Sequence, residues 1–154
     1  GQKNMYYQVN ATYFSALGED ERKLLLARAL QLFMPGKPQI WYLDLLAGTN
    51  DYEAVRKAGV GGHKEVNRTN LTREQAEAAL EKEVVKKQLE LLKFRNSFPA
   101  FSFTSDMKVE ERNKNFTISW KNGKYETELK ANLLTYHFDI LAKVNNEIVK
   151  QIKD

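Results

Sequence analysis

The chain has no cysteine, which excludes a disulfide framework and a thiolate metal site and is compatible with a reducing compartment. Its 2 histidines, His63 and His137, stand too far apart in sequence to form a local zinc motif. No apolar run approaches the roughly 20 residues that cross a bilayer. The first residues, Gly1-Gln2-Lys3-Asn4-Met5, lack the apolar core of a signal peptide, so the expected location is the cytoplasm. Neither sign of charge dominates: 24 Lys and Arg against 20 Asp and Glu leave a net charge of +4. Mixed runs such as Glu19-Asp20-Glu21-Arg22-Lys23 are solvated helix surface rather than a nucleic-acid face. No repeat or low-complexity tract appears, and neither metal nor cofactor is expected.

What is present is enough for a core, because 42% of the 154 residues are hydrophobic. Between Asp20 and Phe33 the apolar residues Leu24, Leu25, Ala27, Leu30, Leu32 and Phe33 recur at helical spacing, and Pro35-Gly36 ends the pattern. Thr72-Arg73-Glu74-Gln75 has the form of a capping box. It opens a second helical region that runs to about Asn96 in one or two segments and is closed by Pro99. Beyond it the period falls to two: Met107, Val109 and Glu111, then Phe116, Ile118 and Trp120, then Tyr125, Thr127 and Leu129, with Asn122-Gly123 as a tight-turn signal. Five or six short antiparallel strands are expected there.

The apolar run from residue 40 to 46, beginning Ile40-Trp41-Tyr42-Leu43, reads as a buried strand that delivers a long polar loop from Asp44 to about Asn70. Helix, strand, loop and helix in that order are the grammar of an α/β barrel. The expected fold is therefore α/β: residues 1–99 form the terminal portion of a (β/α)8 TIM barrel, and residues 100–154 form a small antiparallel β C-terminal domain. A strand without its neighbours leaves edges that invite a second copy, so self-association is expected of the chain by itself.

In such barrels the functional groups lie on the loops that follow the strands. Here Gly59, Gly61 and Gly62 permit tight excursions, and His63, Lys64, Glu65, Asn67 and Arg68 could hold sugar hydroxyls or a phosphate. From spacing alone a solvated loop that ends in a helix cap is the better fit. Asp44 and Asp51 are the acids nearest the strand top, and both read as loop or cap residues. Trp120, Tyr125, Tyr136 and Phe138 fit a core better than a sugar-stacking face.

The wording of two segments narrows this. Leu46-Ala47-Gly48, Asn50-Asp51 and Val66-Asn67-Arg68, together with the run from Tyr7-Gln8-Val9-Asn10 to Ser15-Ala16-Leu17-Gly18, closely resemble sucrose phosphorylases and their relatives. These are the retaining sugar phosphorylases of the α-amylase superfamily (glycoside hydrolase family 13). The resemblance implies transfer of a glucosyl unit between an α-glucoside and inorganic phosphate, with the rest of the barrel supplied by chain that precedes residue 1. It assigns Tyr7 and Gln8 to acceptor or phosphate binding, and it puts Lys64, beside His63, where those enzymes often use an arginine to orient the glucosyl ring. Arg68 completes the substrate-binding set. Met5 replaces an aspartate that contacts fructose, which turns the comparison toward the relatives that use glucosylglycerate. Retaining chemistry needs two carboxyl groups about 5 to 5.5 Å apart. The resemblance puts them on barrel strands outside this chain, so no catalytic residue is assigned and the chain alone is expected to be inactive. A hydrolase or transglycosylase of the same superfamily, or a carbohydrate- or protein-binding module, are the other functions compatible with these residues.

Overall fold

A computed structural model describes residues 9–154. A single turn of helix, α1, spans Tyr13–Ala16. Asp20 then takes extended backbone and its carboxylate accepts from the amides of Arg22 and Lys23, opening α2, Glu21–Phe33. One side of α2 is buried through Leu24, Leu25, Arg28, Ala29, Leu32 and Phe33, the i, i+4 and i, i+3 spacing of a core-facing stripe. Two further short helices follow, α3 at Tyr42–Leu45 and α4 at Tyr52–Ala58. The capping box of Thr72 and Gln75 is formed at the start of α5, Arg73–Leu80, and Lys82, in extended backbone, separates it from α6, Glu83–Ser97. The longer helix buries Val84, Val85, Gln88, Leu91 and Phe94 and lies against α2.

Strands β1 (Asp106–Arg112), β2 (Asn115–Asn122), β3 (Tyr125–Asn132), β4 (Phe138–Val144) and β5 (Glu147–Lys153) form one sheet in sequential order. Every neighbouring pair is antiparallel. The register aligns Ile118, Leu129, Ile140 and Ile152 in one row across four strands, and all four are buried. The alternate residues Lys121, Glu126, Glu128 and Lys143 lie on the opposite face, as period two requires. Hairpin turns carry the backbone reversal. Gly123 has φ +56° while Lys124 is not in the left-handed region, the pattern of a type II′ turn centred one residue later than Asn122-Gly123 suggests. Asn113 and Lys114, and likewise Asn145 and Asn146, have positive φ at both positions, the I′ pattern.

The inner face of the sheet meets the helices in one apolar cluster that runs from Leu24 and Phe33 to Trp120 and Ile140. Trp120 fixes the junction: its indole Nε1 donates to the Phe33 carbonyl at 2.9 Å. Trp120 and Phe138 are core residues, and Tyr125 and Tyr136 are partly buried against the same cluster.

The barrel expectation needs correction. Among the described residues no strand precedes β1, and none of the strands of a (β/α)8 barrel is among them. The run from residue 40 to 46 is not a strand. Trp41 caps α3, and the amides of Leu45, Leu46 and Gly48 bond to the carbonyls of Trp41, Tyr42 and Leu43. A strand requires a ladder partner; without one, local helical turns satisfy the backbone instead. The supposed long loop is also structured, since it contains α4 and a 3₁₀ segment at Gly62–Asn67.

Candidate functional site

Three segments converge at one end of the helical layer: residues 11–15, residues 41–52 and residues 62–69. Leu43, Ala47 and Val66 are buried among them. Side chains also satisfy backbone groups of the neighbouring segment. The Asn67 Nδ2 donates to the Ala11 carbonyl at 3.2 Å, the Thr12 amide donates to Asn50 Oδ1 at 2.7 Å, and the Tyr13 amide donates to Asp44 Oδ1 at 2.7 Å. Three consecutive residues at the root of α1 are thus tied to both other segments. Thr12 is fully buried.

The 62–69 segment is fastened from below as well. The Asp51 amide donates to the Val66 carbonyl at 2.8 Å, Trp41 Nε1 to the Asn67 carbonyl at 2.9 Å, and the Tyr42 hydroxyl to the Thr69 carbonyl at 2.6 Å. Asp51 also caps α4 by accepting from the Ala54 amide at 2.8 Å and accepts from the Thr69 hydroxyl at 3.3 Å. Asp44 and Asp51 are therefore both occupied as caps. The approach of α4 to the 3₁₀ segment requires glycine at 62, because a Cβ there would stand 2.4 Å from the Ala58 Cβ. Gly61, at φ +86°, makes the reversal just before it.

His63, Lys64 and Arg68 are brought together on this turn and its C-terminal cap. His63 and Arg68 are exposed and Lys64 is half-buried. Arg68 lies 3.6 Å from Glu65, and both side chains are about half exposed, so the pair leaves the guanidinium available to an anion. Tyr7 and Gln8, like Met5, lie outside the described residues. Among the described residues no cluster of three or more His, Asp or Glu side chains is placed to hold a metal ion.

Behind the site lies a buried cation that sequence reasoning missed. Arg28 is 1% exposed, and its Nε donates to Gln88 Oε1 at 2.8 Å. Its Nη1 bonds to Gln31, the ring of Tyr13 faces it, and Nη2 has no hydrogen-bond partner among the described residues. Burial pushes the guanidinium below its ordinary range, and the nearby Asp44 carboxylate and Tyr13 oppose that shift. Gln88 passes the link onward by donating to the Leu45 carbonyl at 2.9 Å. The 44–52 turn therefore rests on α2 and α6 through a buried polar relay. Arg28 and Gln88 occupy core positions of their helices, where an apolar period gives a polar residue no mark of its role.

A sucrose 6F-phosphate phosphorylase of Ilumatobacter coccineus is 51% identical over 140 residues, which is 91% of this chain and 27% of that protein. One from Thermoanaerobacterium thermosaccharolyticum is 39% identical over 150 residues, 95% of this chain and 30% of that protein. The crystal structure of sucrose 6F-phosphate phosphorylase from Thermoanaerobacter thermosaccharolyticum superposes with a TM-score of 0.84 at 38% identity, covering 96% of this chain and 29% of that one. In sequence and fold, the chain matches the C-terminal part of the sucrose phosphorylase-like glucoside phosphorylases. It spans between 27% and 30% of the length of these relatives. A glucosylglycerate phosphorylase of Escherichia coli also matches, at 33% identity over 65% of this chain. No protein-family model matches the chain. The likeness to the phosphorylases covers the helical layer and the sheet together, so both regions of the molecule are shared with them.

Proposed function

We propose that this chain is the C-terminal part of a retaining phosphorylase that transfers the glucosyl unit of an α-glucoside to inorganic phosphate, giving α-glucose 1-phosphate. The carrying observation is the 51% identity that extends over 91% of the chain. Following the identities of their namesake enzymes, sucrose 6F-phosphate ranks first as the glucoside, ahead of sucrose, glucosylglycerol and glucosylglycerate. The chemistry of residue 5 agrees with that first place. A neutral Met5 in place of an aspartate removes a negative charge that an anionic sugar phosphate would meet unfavourably.

Within this reading the 62–68 turn supplies sugar and phosphate contacts through His63, Lys64 and Arg68, and Tyr7 and Gln8 serve the acceptor side. Residues 1–99 continue the catalytic domain and residues 100–154 form its C-terminal β domain. The reacting carboxylates are contributed by the preceding barrel, so the isolated chain turns over no glucoside; the expectation of self-association loses its ground, because residues 40–46 leave no unpaired strand edge. The protein works in the cytoplasm.

The test is phosphorolysis by the full-length protein on a panel of sucrose 6F-phosphate, sucrose, glucosylglycerol and glucosylglycerate. Release of glucose 1-phosphate is expected, fastest from sucrose 6F-phosphate. A protein that hydrolyses these compounds without phosphate dependence is a hydrolase of the same superfamily, and the proposal falls.

A further inference from the structure

Trp41 and Tyr42 are 48% and 38% exposed, and their rings lie against each other with centroids 4.9 Å apart. Hydrophobic burial does not explain two adjacent large aromatics left so open. Their polar atoms do have partners. The indole N–H and the phenol O–H both reach past a stretch of 26 and 27 residues to carbonyls of the same short segment, those of Asn67 and Thr69. Those carbonyls flank Arg68, and the Asp51 amide holds the Val66 carbonyl just before them. The C-terminal end of the turn that carries His63, Lys64 and Arg68 is therefore pinned at three backbone points, two of them by this aromatic pair.

We propose that Trp41 and Tyr42 are positioning residues, whose N–H and O–H hold the end of the 62–69 turn and so fix where Lys64 and Arg68 present their charges. The proposal rests on the reading of that turn as a sugar- and phosphate-binding element. It assigns no substrate contact to either ring. Val66 anchors the middle of this turn in the core, but its C-terminal end is held by single hydrogen bonds to backbone. Each lost bond should therefore be felt in the placement of its side chains rather than in global stability.

The test uses Tyr42→Phe and Trp41→Phe in the full-length protein. Both substitutions keep an aromatic ring and remove the donor. Expected for each is a loss of about three- to tenfold in kcat/KM for the glucosyl donor, the scale of one hydrogen bond, with melting temperature near wild type. In a background carrying both Lys64→Ala and Arg68→Ala the same substitutions should add little, because residues acting through those groups are not additive with their loss. Amide exchange at Arg68, whose N–H donates to the Glu65 carbonyl at 3.2 Å, should be faster by about tenfold in Tyr42→Phe.

Unchanged kcat/KM in both Phe variants of an active enzyme overturns the proposal, and points to a ring surface rather than a donor as what matters. Losses that are fully additive with the pair Lys64→Ala and Arg68→Ala overturn it too. If the wild-type protein releases no glucose 1-phosphate, the proposed function fails, and Arg68 exchange then decides the positioning role alone: acceleration upholds it and no change removes it.

Discussion

The sheet and the segment from residue 41 to 69 are folded by opposite means. In the sheet, each strand pairs with the strand next to it in sequence, the side chains alternate, and one row of Ile118, Leu129, Ile140 and Ile152 is buried. Local pattern and tertiary structure agree there. Between residues 41 and 69, order depends on single side chains that bond to backbone 26 to 56 residues away, as Trp41, Tyr42 and Asn67 do. The lesson is a division of labour. The sheet and its helices make a stiff body from repeated, redundant contacts, whereas the candidate site is laid on that body by individual hydrogen bonds, each of which can be removed separately.

The largest expected effect comes from breaking the junction of the two. Trp120→Ala removes a buried ring from the shared core and leaves the Phe33 carbonyl without its donor. The loss should be about 4 kcal/mol in denaturant-induced unfolding, with helix and sheet signals lost in one transition. A loss below about 1 kcal/mol would show that the sheet is an independent unit and that the apolar cluster spanning both regions does not bind them.

Next comes the buried relay beneath the site. Gln88→Ala deprives the Arg28 Nε of its acceptor and the Leu45 carbonyl of a donor at once, at an expected cost of about 3 kcal/mol. Replacing both partners, Arg28→Met with Gln88→Leu, should cost less than Gln88→Ala alone, because no buried charge then remains unpaired. Thermal or denaturant unfolding of the three proteins decides it. If the double variant is the worst, the guanidinium is stabilising in its own right and the comparison between an apolar body and a polar site must be redrawn.

A third substitution acts on the site side only. In Gly62→Ala the new methyl group would meet the Ala58 Cβ at 2.4 Å, forcing α4 and the 3₁₀ segment apart at about 2 kcal/mol. Amide exchange should quicken across residues 52–69 and stay unchanged in β2 to β4. Faster exchange in the sheet as well would mean that the two regions open together.

These contrasts explain what was legible in the sequence. The strands from Met107 onward, the helix over residues 20–33 and the capping box at Thr72 were readable because each rests on local period or local chemistry. The run at 40–46 was misread for a related reason. Its apolar composition suits a buried strand, yet strand identity lies in a ladder partner that composition cannot supply. Helix α4 was hidden by the glycines around it, although Asp51 is a sound N-cap in hindsight. In the site, the position of His63, Lys64 and Arg68 on one turn followed from their closeness in sequence. The fastening of that turn by Trp41, Tyr42 and the Asp51 amide, and of residues 12 and 13 by Asn50 and Asp44, did not, because a hydrogen bond between distant segments leaves no periodic trace.

The smallest effect is expected at a hairpin of the sheet. Gly123 sits at φ +56° with nothing within 4 Å of a built Cβ, so alanine there meets no neighbour and suffers only the strain of the left-handed backbone, about 1 kcal/mol. The neighbouring register, with Asn122 opposite Tyr125 and Trp120 opposite Thr127, is held by the buried rows and should survive. Gly123→Ala should therefore lower the unfolding midpoint slightly while leaving exchange protection at Ile118 and Leu129 intact. Loss of protection along β2 and β3 would show that the turn, and not the buried face, sets the pairing, and the redundancy that separates the sheet from the site would then be overstated.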